Sequence, residues 1–138
     1  MIIKRDYYLQ QLISSKSNNL IKIVTGIRRS GKSFLLFNLF HNHLIETGIN
    51  EDHIIEIALD DRLNKNLRDP DVILQHIHER IIDDKLYYII LDEVQMIDEF
   101  TDVLNSLLHI RNADVYVTGS NSKFLSKDVV TEFRGRGD

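Results

Sequence analysis

The sequence predicts an α/β protein in which helices cover both faces of a mostly parallel sheet. Strand-like and helix-like segments alternate along most of the chain, an order typical of parallel sheets. The polar segments best suited to ligand binding or catalysis all follow strand-like segments. Right-handed crossovers would therefore bring them to one edge of the sheet, where ligands bind in open α/β folds. The chain has 138 residues, enough for one domain, and we assign residues 1–138 to it.

Each predicted element follows from its local pattern. Strands are assigned to short apolar, β-branched runs, and helices to apolar residues that recur at intervals of three and four. The predicted elements are a helix over Lys4–Leu12, a strand over Leu20–Thr25, a helix over Lys32–Glu46, a strand over Ile54–Leu59, a polar connection over Asp61–Asp69, a helix from Pro70 to about Asp83, a strand over Leu86–Leu91, a helix over Asp98–Ile110 and a strand over Val115–Thr118. Gly48 should end the second helix, and Pro70 suits the first turn of the third.

A phosphate-binding loop is predicted between the first strand and its helix. Residues Gly26–Ser33 fit the pattern G-x-x-x-x-G-K-[ST], whose glycines allow main-chain amides to surround a phosphate. We expect Lys32 to reach the β- and γ-phosphates and the Ser33 hydroxyl to ligate magnesium. The expected nucleotide-binding residues are Gly26, Ile27, Arg28, Arg29, Ser30, Gly31, Lys32, Ser33 and Phe34. A chance glycine turn is the alternative, and the flanking strand and helix argue against it.

Two carboxylates follow the third strand. Asp92 and Glu93 come directly after an apolar run, about 60 residues beyond Lys32. In nucleoside triphosphatases with such a loop, a carboxylate at this place holds magnesium, so we assign Asp92 to the metal. A carboxylate one residue further along can polarise the attacking water, and we assign Glu93 to that role. Alone, the pair could equally be two solvated acids at a strand end; the phosphate loop favours magnesium.

Small polar residues follow the fourth strand, at the expected position of the γ-phosphate. Ser120 and Asn121 are favoured over Thr118 as the group that senses the phosphate or orients water, and the sequence does not separate those two. An ordinary turn is the alternative, since Gly, Ser and Asn are common in turns. Arg136 is a candidate arginine finger, against the alternative of a frayed tail. Arg28 either adds positive potential at the loop or points to solvent.

Composition excludes several function classes. The 17 basic and 21 acidic residues give a formal net charge of −4, which argues against a chain that wraps nucleic acid. The absence of cysteine excludes disulfides and thiolate metal sites and suits the cytoplasm. No apolar run is long enough to cross a membrane. The histidine pairs His41/His43 and His76/His78 have a spacing of two, which does not place both rings on one helix face, so no histidine metal site is predicted.

The segments IKRDYYLQQLI, IVTGIRRSGKS, YYIILDEVQ and VYVTGSNS, in that order, resemble the AAA-type ATPase domain of a bacterial and archaeal group. Proteins of that group usually carry a C-terminal domain of unknown function, number 4143, with a nuclease-like core. The resemblance implies a three-layer P-loop fold with strand order 5-1-4-3-2, and it supports the roles given above to Lys32, Ser33, Asp92 and Glu93. It also implies a sensor at Ser120 or Asn121 and matches Gly135-Arg136 to the Gly-Arg that follows the sensor strand.

Family members continue well past Asp138, so we expect the fifth strand, the helical lid and the C-terminal domain to be absent from this chain. The first functional hypothesis is ATP and Mg²⁺ binding, with ATP hydrolysis in the full-length protein. The alternative is a nucleotide-binding switch or interaction module with little turnover in this chain. Nucleic-acid binding is a third, weakly supported hypothesis, because the acidic balance argues against it. ATP rather than GTP rests mainly on the resemblance. An open sheet edge at the place of the fifth strand would favour self-association.

Overall fold

The computed structural model describes residues 21–26 and 32–120, without the side chains of residues 22, 24–26, 32–37 and 120. Within this part, four strands alternate with three α-helices. They are β1 (Lys22–Gly26), α1 (Lys32–Glu46), β2 (Ile54–Ala58), α2 (Pro70–Arg80), β3 (Tyr87–Asp92), α3 (Phe100–Leu108) and β4 (Ala113–Ser120). Short 3-10 helices occupy Glu51–His53, Arg62–Arg68 and Val94–Met96. The predicted first helix lies outside the described residues.

The four strands form one parallel sheet in the order β1-β4-β3-β2. This confirms the predicted α/β class, and the order agrees with the 1-4-3-2 part of the expected arrangement. The neighbour that a fifth strand would provide beside β1 falls outside the described residues. β3 is central, and its residues 87–91 are all buried, as expected for a parallel strand covered on both faces.

Strand alternation divides the core between the two faces of the sheet. On one face, α1 packs against the sheet, and the shared core contains Phe40, Leu44, Ile54, Tyr88, Ile90 and Tyr116. On the other face, α2 and α3 cover the sheet. Their core residues Ile73, Ile77, Val103, Leu104 and Leu107 meet Ile55, Ile57, Ile89, Leu91, Val115 and Val117 of the strands. The result is three layers, helix, sheet and helices, as the sequence predicts.

The helix boundaries have local causes. α1 ends in a glycine motif: the N–H of Gly48 donates to the Ile45 carbonyl and that of Ile49 to the Leu44 carbonyl, both at 3.0 Å. Gly48 has a φ of 100°, a backbone conformation that is unfavourable for residues with a Cβ. At the start of α2, the Asp69 carboxylate accepts from the N–H groups of Asp71 and Val72 at 2.9 and 3.2 Å, and Pro70 occupies the first turn as predicted.

Several predicted helix boundaries were wrong, and one predicted connection contains a short helix. The connection over Asp61–Asp69 contains the 3-10 helix Arg62–Arg68, in which Asp61 caps the N–H of Leu63 at 3.0 Å. α2 ends at Arg80 instead of about Asp83, because Ile81 leaves the helical conformation with φ −91° and ψ 98°. α3 covers Phe100–Leu108 instead of Asp98–Ile110, and its start directly follows the left-handed Glu99.

Candidate functional site

The carboxyl ends of all four strands meet at one edge of the sheet. Gly26 of β1 pairs with Ser120 of β4, and Ala58 of β2 pairs with Asp92 of β3. The end of the first strand, the acidic pair and the end of the fourth strand therefore lie along the same edge. α1 begins at Lys32, so its amino-terminal turn follows the β1 end of this edge after five intervening residues.

Several predicted site residues lie outside the part of the chain that the structure describes. Residues 27–31 of the loop, Asn121 and Arg136 are not described. For Gly26, Lys32, Ser33, Phe34 and Ser120 the structure describes the backbone only.

Asp92 lies on the face of the sheet that α1 covers. Tyr88 and Ile90 of β3 belong to the core under α1, whereas Ile89 and Leu91 belong to the opposite core. Alternation places Asp92 with the first pair. The carboxylate is partly exposed at the edge of the sheet. A carboxylate predicted to hold magnesium is thus on the side of the sheet from which the predicted phosphate loop leads into its helix.

A hydroxyl from the neighbouring strand contacts both members of the acidic pair. Leu91 of β3 pairs with Val117 of β4, so the next residues, Asp92 and Thr118, come side by side. Thr118 is 3% exposed, and its hydroxyl donates to Asp92 Oδ1. The same hydroxyl oxygen accepts from the N–H of Glu93 at 3.1 Å. The sequence analysis considered Thr118 as a less favoured phosphate sensor, and its contacts with the acidic pair were not predicted.

Glu93 has a left-handed backbone, with φ 56° and ψ 54°. For a residue with a Cβ this conformation costs about 1 to 2 kcal/mol. It is held at both ends, because the Thr118 hydroxyl accepts from the Glu93 N–H and the Glu93 carbonyl accepts from the N–H of Met96 at 3.0 Å. The left-handed residue turns the chain sharply out of β3 into the 3-10 helix Val94–Met96.

The Glu93 carboxylate is held by a neutral side chain. Gln95 Nε2 donates to Glu93 Oε1 at 2.7 Å. The other amide atom, Gln95 Oε1, is buried and has no hydrogen-bond partner in the described part of the chain. A buried polar atom in this state costs about 1 to 3 kcal/mol. The left-handed backbone of Glu93 lies within three residues of this atom, and such backbone outliers cluster at functional sites.

A second group of hydrogen bonds braces this edge from β2. The Leu59 N–H donates to the Asp92 carbonyl at 3.0 Å, and the Leu59 carbonyl accepts from Arg68 Nε at 2.9 Å. The Arg68 carbonyl in turn accepts from the N–H of Asp98 at 2.9 Å. The 3-10 helix Arg62–Arg68 therefore links the end of β2 to the segment that follows the acidic pair. This support was not predicted, because Arg68 acts through a main-chain oxygen that no sequence motif marks.

Comparison with known proteins decides the family. The family model described as "AAA domain" matches residues 18–138, which is most of the chain. The chain belongs to the AAA domain family. Membership indicates a nucleotide-binding, ATPase-like module, and the matched residues include the predicted phosphate loop and the acidic pair.

Two relatives have similar sequences, and both are longer than this AAA domain. An uncharacterized protein of Haemophilus influenzae is 34% identical over 137 residues, which is 98% of this chain and 34% of that protein. An uncharacterized protein of Methanocaldococcus jannaschii is 33% identical over 139 residues, 98% of this chain and 28% of that protein. No solved structure matches the chain. The chain spans about a third of the length of these relatives, and the C-terminal domain implied by the resemblance stays a prediction.

The described part of this AAA domain offers oxygen ligands at the edge of the sheet. Among residues 21–26 and 32–120, no group of three or more His, Asp or Glu side chains is arranged to hold a metal ion. An ionised carboxylate has room for about four hydrogen bonds or metal contacts, so the bond from Thr118 does not by itself exclude a metal ion at Asp92. Magnesium bound with a nucleotide needs only one or two protein carboxylates, so a single Asp92 fits that mode of binding. In the same described part, no helix is long and apolar enough to span a bilayer.

Proposed function

We propose that this AAA domain binds ATP together with Mg²⁺ and that the full-length protein hydrolyses the nucleotide. The observation that carries the proposal is the position of Asp92. Its carboxylate lies at the carboxyl edge of the sheet, on the face covered by α1, and α1 starts with Lys32 and Ser33 of the phosphate-loop pattern. A metal ligand and a polyphosphate site on the same side of one edge is the arrangement that phosphoryl transfer from a metal-bound nucleotide requires.

In this proposal the chain's own groups bind and orient the triphosphate. Main-chain amides of residues 26–33 and the positive end of α1 receive the phosphates, and the Lys32 ammonium group contacts the β- and γ-phosphate oxygens. Ser33 and Asp92 hold magnesium, which when bound neutralises negative charge on the phosphates. Glu93 accepts a proton from the attacking water, and its carboxylate is oriented for that task by Gln95.

The remaining roles follow from the family resemblance. Ser120 or Asn121 contacts the γ-phosphate or orients water, and Arg136 stabilises charge in the transition state. About two thirds of the length of the Haemophilus influenzae relative lies outside the matched part, so elements that close the site can come from there. That observation also favours the second candidate, a 138-residue nucleotide-binding module with little turnover on its own.

The binding half of the proposal is tested by calorimetric titration of ATP into the protein with and without Mg²⁺. Lys32→Ala should weaken ATP binding by about tenfold to a hundredfold, because a hydrogen bond to a charged group contributes about 1.5 to 3 kcal/mol. Lys85→Ala is the matched control: it removes the same charge from an exposed residue that precedes β3 at the opposite edge. Absence of ATP binding by the unmodified protein, or equal affinities for the two variants, would refute the proposal.

The hydrolysis half is tested by phosphate release from the full-length protein. Glu93→Gln keeps the size of the side chain and removes its basicity, so we expect turnover to fall by about 10² to 10⁴ while ATP still binds. Unchanged turnover in this variant would exclude Glu93 as the base. Turnover in the full-length protein but none in the 138-residue chain would support the division of roles between this domain and the rest of the protein.

A further inference from the structure

The Thr118 side chain hydrogen-bonds to both residues of the acidic pair. It belongs to β4, on the face that carries Tyr116 and is covered by α1. Its hydroxyl donates to Asp92 Oδ1 and accepts from the Glu93 N–H at 3.1 Å. A threonine in a buried strand needs its hydroxyl satisfied, and a strand carbonyl would normally suffice. Here both hydrogen bonds go to the residues that follow the neighbouring strand.

The count of hydrogen atoms limits what this hydroxyl can do. A threonine hydroxyl has a single hydrogen to donate, and at Thr118 that hydrogen is directed to Asp92. While this bond exists, the group cannot also donate to a phosphate oxygen or to the attacking water. Its partner on the acceptor side is a main-chain N–H, which fixes backbone and not substrate. The pattern is that of a group acting through its neighbours.

We propose that Thr118 is a positioning residue that sets the side-chain orientation of Asp92 for Mg²⁺ and fixes the left-handed backbone of Glu93. This inference rests on the proposed function, since it assigns Asp92 to the metal. One hydroxyl thereby links the metal-ligating carboxylate of Asp92 to the main chain of Glu93, at the point where the chain leaves β3. The phosphate-sensing role falls to Ser120 or Asn121, which follow Thr118 in the chain.

Partners of metal ligands orient the ligand and raise its affinity, and removing such a partner typically costs tenfold to a hundredfold in metal affinity. Thr118→Val keeps the branched shape and removes the hydroxyl. We expect it to raise the Mg²⁺ concentration that half-maximally enhances ATP binding by about tenfold. ATP affinity measured without divalent ions should stay within about twofold of the unmodified protein, because phosphate contacts come from the loop.

The substitution Thr118→Ser retains the hydroxyl and should restore most of the Mg²⁺ response. Thr47→Val is the matched control: it also removes a threonine hydroxyl, one that donates to the Leu44 carbonyl at 2.8 Å at the end of α1. Its Mg²⁺ response should equal that of the unmodified protein. In a background of Asp92→Asn, adding Thr118→Val should cause no further change in the Mg²⁺ response, because the hydroxyl affects the metal through Asp92.

The measurement is a calorimetric titration of ATP at a series of Mg²⁺ concentrations, with thermal unfolding of each variant in parallel. A purely structural role predicts that Thr118→Val lowers the unfolding temperature and leaves the Mg²⁺ response unchanged, and this result would overturn the inference. Equal loss of Mg²⁺ response in the serine and valine variants would also overturn it. A failure of the proposed function itself is distinguishable, because the unmodified protein would then show no Mg²⁺-dependent ATP binding.

Discussion

Tyr116→Phe tests the hydrogen-bonded pair buried under α1. The Tyr116 hydroxyl donates to Asp114 Oδ2 at 2.7 Å, and the two residues are 1% and 3% exposed. Loss of the hydroxyl removes a donor from a carboxylate that water reaches poorly. Hydrogen bonds to charged groups contribute about 1.5 to 3 kcal/mol, and a buried acceptor left with one donor fewer adds a desolvation cost. We therefore expect the free energy of unfolding to fall by about 2 to 3 kcal/mol.

Chemical denaturation at pH 7 measures this loss directly, through the midpoint and slope of unfolding. The matched variant is Tyr88→Phe, which removes a hydroxyl from the adjacent strand in the same core. Within the described residues that hydroxyl makes no hydrogen bond comparable to the one between Tyr116 and Asp114, so we expect a loss below about 1 kcal/mol. Equal losses in the two variants would show that the Tyr116–Asp114 bond contributes nothing specific.

The same variant has a predicted pH dependence. Burial, reinforced by the negative charge of Asp114, raises the pKa of Tyr116 well above its ordinary value of 10.0. Because the folded-state pKa is the higher one, the stabilising contribution is fully present below the unfolded-state value. It is lost progressively as the pH rises above 10.0 toward the folded-state pKa, by up to about 1.4 kcal/mol per pH unit. Above pH 10 the unmodified protein should therefore lose stability more steeply than Tyr116→Phe, and parallel curves would contradict the assignment.

Two further predictions concern single contacts. Gln95→Leu removes the amide that donates to Glu93 at 2.7 Å, so phosphate release by the full-length protein should fall about tenfold with ATP affinity unchanged; faster release would show that the amide restrains Glu93 instead of orienting it. Burial lowers the pKa of His41, but neighbouring carboxylates more than offset it and raise this pKa above 6.5. The hydrogen bond with Glu51 at 3.2 Å is the largest of the contributions that raise it. Glu51→Gln should lower that pKa in an NMR titration, and Asp52→Asn, which removes an adjacent charge without that bond, should not.

The backbone of the fold could be predicted because local signals agree with the tertiary structure. α1 runs over Lys32–Glu46 as predicted, since its apolar spacing and the glycine that ends it are both local. The strands differ from the prediction by one or two residues at most ends, and β4 is longer because it pairs with both β1 and β3. The start of α3 was wrong because the left-handed Glu99 and the bond from Asp98 to Arg68 depend on contacts with a distant segment.

At the candidate site, sequence reasoning singles out side chains with distinctive chemistry more easily than the side chains that hold them in place. Asp92 and Glu93 were assigned roles because few side chains can ligate magnesium or accept a proton, and their position after a strand is readable. Thr118 and Gln95 are chemically ordinary, and their contacts depend on the register of β3 against β4 and on the left-handed turn at Glu93. A one-residue shift in that register would move the Thr118 hydroxyl away from the Asp92 carboxylate. The alternation of buried residues could have placed Thr118 and Asp92 on the face under α1. Only the pairing of β3 with β4 brings the Thr118 hydroxyl into contact with the Asp92 carboxylate.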